Sequence, residues 1–63
     1  MKRARYTPKI IGYIAHDYAS ILRHLGKQEA GSIYHNLSID YPDMKLEDAV
    51  IIVKILEKEG FIE

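Results

Sequence analysis

Apolar residues recur along the chain at intervals of three and four, and this period predicts helices in three places. The first runs from Pro8 to about Leu25. Ile11, Ile14, Ala15, Tyr18, Leu22 and Leu25 share one face, and Ile10, Tyr13 and Ile21 widen the apolar surface beyond a single stripe. Thr7 is a good N-cap. Pro8 suits the first helical position, because the N–H it lacks would find no helical partner there. Gly26 is a natural stop, and Arg23 and His24 in the last turn complement the negative helix end.

The second segment has a weaker pattern. Ala30, Ile33, Tyr34 and Leu37 keep the period, but Gly31 interrupts it at a cost of about 1 kcal/mol relative to Ala. The helix either begins at Ser32 or spans about 28–37 with a soft start. Pro42 forbids continuation and pushes Tyr41 out of the helical region, so residues 38–43 read as a turn. If residues 28–43 are only a connector, the chain is a hairpin of two long helices.

The third helix has Asp43 as its expected N-cap. Leu46, Ala49, Val50, Val53 and Leu56 line one face, with Ile52 at its edge. The β-branched run over residues 50–55 leaves a strand as the competitor. The run lacks polar alternation and continues past ordinary strand length, which favours helix. Gly60 then stops it. With Gly60 at the left-handed C′ position, Leu56 occupies C3 and Phe61 occupies C″, the two positions that touch in a Schellman cap. Phe61 and Ile62 are expected to fold back over the core as a short extended tail.

The order of these elements, with Ile33-Tyr34-His35-Asn36-Leu37 and the ending Leu56-Glu57-Lys58-Glu59-Gly60-Phe61-Ile62, resembles a winged-helix or helix-turn-helix module. The first run is similar to the family's I-x-x-x-L second helix and the second to its LEKEGLI ending. The resemblance covers residues 10–62 and implies an all-α, three-helix fold with a DNA-binding, transcription-regulating role. Two departures stand out. The turn at 38–43 is longer than in a plain helix-turn-helix. The wing strands are not expected within these 63 residues.

Composition narrows the picture. A chain of 63 residues has room for one small domain, and such a domain buries only about 60% of its unfolded surface. There is no cysteine, so disulfides and thiolate zinc sites are excluded. Dimerisation is the most available further source of stability. No stretch approaches the roughly 20 apolar residues that span a bilayer, and no signal-peptide pattern follows the basic start. The expectation is an intracellular, cytoplasmic protein without a membrane partner. Ile is abundant while Asn and Gln occur once each, a thermophile-like bias.

Net charge is zero, yet the charges are segregated. Lys2, Arg3, Arg5 and Lys9 form a basic arm over residues 1–9, without an acid. Residues 10–63, the helix-turn-helix-like domain, carry a net charge of −4. An arm of this kind neutralises phosphates or enters a minor groove, and it would meet DNA ahead of the acidic body. A disordered, solubilising terminus is its bland alternative. The outer side of helix 3 is expected to carry Glu47, Asp48, Ile51, Lys54, Ile55 and Lys58. It offers no Arg, Asn or Gln for reading base edges.

Two functions follow. One is a small dimeric DNA-binding regulator that uses Lys2, Arg3, Arg5 and Lys9 with Lys45, Lys54 and Lys58. The other is a protein–protein adaptor built on a helical homodimer, with Ile51 and Ile55 as the interface. His16 and Asp17 are neighbours about 100° apart, and His16 and His24 are more than two turns apart. Neither spacing makes a catalytic dyad or a metal site. No catalytic residue, metal ligand or cofactor is assigned, and the expected role is non-enzymatic.

Overall fold

The computed structural model describes residues 6–63, and these form three helices with no strand among them: α1 (Pro8–Leu25), α2 (Ala30–Asp40) and α3 (Leu46–Lys58). The protein is all-α. α1 has the expected bounds. The Thr7 hydroxyl accepts the Ile10 N–H at 3.3 Å, and Pro8 opens the helix. At its other end Gly26 takes a φ of 93° and donates its N–H to the Leu22 carbonyl.

α2 is a true helix and is longer than its apolar pattern indicates. It starts at Ala30, runs through Gly31 and continues to Asp40, so residues 38–40 are helical and the turn is confined to residues 41–45. The cost of Gly31 is tolerable because it sits in the first turn. There the Ser32 and Ile33 N–H groups already bond the Glu29 carbonyl.

Asp43 does not cap α3. Lys45 holds that position, with no side-chain cap, and its carbonyl accepts from the Asp48 and Ala49 N–H groups. The Asp43 carboxylate instead accepts the Tyr6 hydroxyl at 2.5 Å. Glu47 and Asp48 in the first turn supply the negative charge that a helix N-terminus favours. Residues 50–55 are helical, which removes the strand alternative.

α3 is the central element, and α1 and α2 each pack against it rather than against one another. The helices run up, down and up. Tyr6, just before α1, meets Tyr41 edge-on at 6.1 Å beyond the end of α2, and Gln28 beyond α1 pairs with Ile62 beyond α3. The core holds Ile11, Ile14, Ala15, Tyr18, Ala19 and Leu22 of α1, Ile33 and Leu37 of α2, and Ala49, Ile52, Val53 and Leu56 of α3. Ile52 lies at its centre and not at its edge. Two residues assigned to core faces are outside it: Leu25 is 68% and Leu46 72% exposed. Both sit at helix ends, and each lines an open groove between helices.

Gly60 ends α3 as a Schellman cap. Its φ is 91°, the Phe61 N–H bonds the Leu56 carbonyl at 2.9 Å, and the Gly60 N–H bonds the Glu57 carbonyl at 3.0 Å. The tail then runs beside the α1–α2 loop. The Gln28 N–H donates to the Phe61 carbonyl and the Glu63 N–H to the Gln28 carbonyl, a single parallel bridge, while Phe61 and Ile62 lie half-buried on the core.

One polar contact ties α1 to α2. The buried Tyr18 donates its hydroxyl to Asp40 at 2.7 Å. Burial, then the hydrogen bond to Asp40 and the charge of that carboxylate, hold the phenol well above its ordinary pKa. Because the folded value lies above the unfolded value of about 10, this contribution is complete below pH 10 and is lost as pH rises toward the folded value. Tyr18→Phe is expected to cost about 1 kcal/mol at neutral pH and to flatten the fall in stability above pH 10. Urea melts of both proteins at several pH values check this, and parallel alkaline slopes would contradict it.

Candidate nucleic-acid interface

The basic residues divide between the two ends of the bundle. Lys2, Arg3 and Arg5 lie outside the described residues. Lys9 is exposed in the first turn of α1, and Lys45 is exposed at the start of α3, at the same end of the molecule. Lys54 and Lys58 are exposed one turn apart farther along α3. From Lys45 to Lys58 the helix rises about 20 Å. The lysines of α3 therefore form an elongated line and not a cluster.

The outer side of α3 differs in part from the sequence expectation. Glu47, Ile51, Lys54 and Lys58 face solvent, as does Glu57. Asp48 is half-buried. Ile55 is half-buried too and packs on the core. It lines a groove of about 170 Å³ between α1 and α3 with Gly12, Ala15, His16, Ala19, Arg23 and Glu59. The small side chains Ala15 and Ala19 leave room for it. Ile51 and Ile55 thus do not form a joint exposed patch, and Ile51 alone, 45% exposed, remains on the surface.

Two other grooves open between helices. One of about 180 Å³ lies between α2 and α3, with Tyr34, Leu37, Tyr41, Met44 and Leu46 in its wall. The other, about 140 Å³, lies between α1 and α2. Both are smaller than the roughly 300–1,000 Å³ of small-molecule sites. His16, His24 and His35 are each exposed, and no group of three or more metal-ligating side chains occurs among the described residues. Among these residues no helix is long and apolar enough to cross a membrane.

The apolar positions of α1 beside its core face, together with Leu25, lie on the surface. Ile10, Tyr13, Ile21 and Leu25 are all exposed there. The signal was present in the sequence as apolar positions beside the core stripe, but the pattern alone did not say which would be covered. Compared with family models, curated proteins and solved structures, the chain matches none.

Proposed function

We propose that the protein is a small non-enzymatic regulator that binds duplex DNA as a dimer, by a helix-turn-helix-like use of α2 and α3. The observation that carries this reading is the disposition of α3. Its apolar side is occupied by α1 and α2, while Ile51, Lys54 and Lys58 stand in solvent on the other side. Lys54 and Lys58 contact phosphates, and Lys9, Lys45 and the basic arm extend that contact from the far end of the helix. The face lacks the Arg, Asn and Gln that read base edges, so affinity comes from the backbone and sequence discrimination is low.

A salt titration of binding to duplex DNA tests this. Seven basic groups, Lys2, Arg3, Arg5, Lys9, Lys45, Lys54 and Lys58, bound the slope of log K against log salt at about −6 per chain. Replacing Lys54 and Lys58 by Ala together is expected to make the slope shallower by about 2. It should weaken binding at low salt at least tenfold, with the helical spectrum unchanged because both side chains are exposed. Failure of the unmodified protein to be retained on DNA at low salt would overturn the reading.

A second reading, a protein–protein adaptor, is favoured by the exposed apolar residues of α1. It predicts that the Lys54 and Lys58 replacements leave assembly intact and that DNA is not retained.

A further inference from the structure

The exposed apolar residues of α1 have a mirror spacing. Ile10 and Tyr13 precede Asp17 by seven and four residues, and Ile21 and Leu25 follow it by four and eight. At 100° per residue all five fall within an arc of about 120°, beside the core stripe. Ile10 is 39%, Tyr13 60% and Ile21 52% exposed, with Leu25 more exposed still. The two ends of the stripe differ in setting. Ile10 and Tyr13 line none of the three grooves described above. Ile21 and Leu25 instead line the groove between α1 and α2, with Ile33, Asn36 and Asp40 across from them. That groove is open because α1 and α2 pack on α3 and not on each other.

We propose that this stripe is the homodimer interface, with α1 packed antiparallel against α1 of a second copy and the two-fold axis passing beside Asp17. The proposal rests on the dimeric part of the function above and moves the interface from α3 to α1. A two-fold contact requires a self-complementary surface, and this stripe carries both halves of one. In this register Ile10 of one copy meets Leu25 of the other at the mouth of the α1–α2 groove, and Tyr13 meets Ile21. Each end that lines no groove faces one that does, twice. The exposed part of the four side chains is on the order of 400 Å², the scale at which a monomer's apolar patch is commonly functional. It supplies about half of the roughly 800 Å² per partner that a stable pair covers, leaving the rest to flanking positions such as Ser20 and His24.

The outer side of α3 fits a second copy less well, because the Ile51 and Ile55 pair is divided by the burial of Ile55. Packing through α1 leaves the Lys54 and Lys58 side of α3 open, because that side points away from both α1 and α2. The price is Asp17 beside its own copy, a like-charge contact that limits the affinity of the pair.

Sedimentation from micromolar to millimolar concentration, with circular dichroism as the check on folding, tests the proposal. The unmodified chain is expected to pass from monomer to dimer. Ile21→Glu is expected to weaken association at least tenfold, Asp17→Asn to tighten it several-fold, and Ile51→Glu to leave it unchanged. The register is read by crosslinking, since the chain has no cysteine of its own. Asp17→Cys is expected to oxidise to a dimer with itself. Leu25→Cys alone is expected not to, but to pair with Ile10→Cys when the two proteins are mixed.

A monomer at every concentration overturns the proposal. So does an Ile21→Glu protein that associates like the unmodified chain, or self-crosslinking through Leu25→Cys, which would mean parallel helices. A monomer at every concentration also removes the dimeric part of the function, whereas the Ile21→Glu and crosslinking outcomes sink the α1 interface alone; retention on DNA is read separately.

Discussion

Leu56→Ala is expected to remove about 2–5 kcal/mol of stability, the largest loss from any single truncation on α3. Leu56 is fully buried on α3, between α1 and α2, in the most tightly enclosed part of the core with Ile33, Leu37 and Ile52. A leucine truncated at such a site costs about 2–5 kcal/mol, from lost transfer energy and from the cavity left behind. At about 0.05–0.15 kcal/mol per residue, the whole domain holds roughly 3–9 kcal/mol. One side chain therefore accounts for a large share of the total. Leu46→Ala on the same helix is the control, and because Leu46 lies on the surface it should change stability by no more than about 0.5 kcal/mol. Thermal melts by circular dichroism compare the two. Equal effects would mean that Leu46 is covered in solution, by a partner or by a different packing of the 41–45 turn.

The contrast between these two leucines shows what the sequence conveys and what it does not. Both keep the helical period, so both read as core positions. Period locates the face of a helix that turns inward, but it does not say how closely the neighbouring helix approaches. Leu25 and Leu46 line grooves that α2 leaves open. Chain punctuation was more legible. Thr7-Pro8 and Gly60 act through local backbone chemistry, which is written in the residues themselves, and α1 and the C-terminal cap have the form that chemistry predicts. Asp43 shows the converse. It is a good cap by type, yet its carboxylate is held by Tyr6, 37 residues away in sequence, a contact no local rule contains.

The candidate site was legible in its charges and less so in its apolar surface. Lys9, Lys45, Lys54 and Lys58 are exposed, as long cationic side chains almost always are. Which isoleucines are covered depends on how the helices sit around one another. On α3, Ile55 turned out to lie toward α1 and Ile51 away from it. On α1, the stripe from Ile10 to Leu25 is left uncovered because α1 packs chiefly on α3, through its other side. That arrangement is a tertiary outcome. In the function proposed above, it leaves the Ile10 to Leu25 stripe for a second copy and the Lys54 and Lys58 side of α3 for DNA.

Removing residues 60–63 is expected to lower stability by about 2–3 kcal/mol, or roughly 15–23 °C in Tm for a domain of this size. Four backbone hydrogen bonds leave with the segment: two in the Schellman cap and two in the bridge to Gln28. Each is worth about 1 kcal/mol net, and that gain is largely offset by the entropy of ordering the four residues. The remaining loss is the apolar cover that Phe61 and Ile62 lay over the core beside Leu56. Two single changes separate these parts. Phe61→Ala keeps the backbone and loses the cover, for an expected cost of about 1–2 kcal/mol. Gly60→Ala keeps the cover and forces a side chain into the left-handed region, again for about 1–2 kcal/mol. Nothing lies within 4 Å of a methyl group added there, so the second cost is conformational and not steric crowding by neighbours. A shortened chain that melts with the full one would show that α3 stops without its glycine and that the tail covers nothing. The up-down-up packing would then rest on the turn at Pro42 and the core alone.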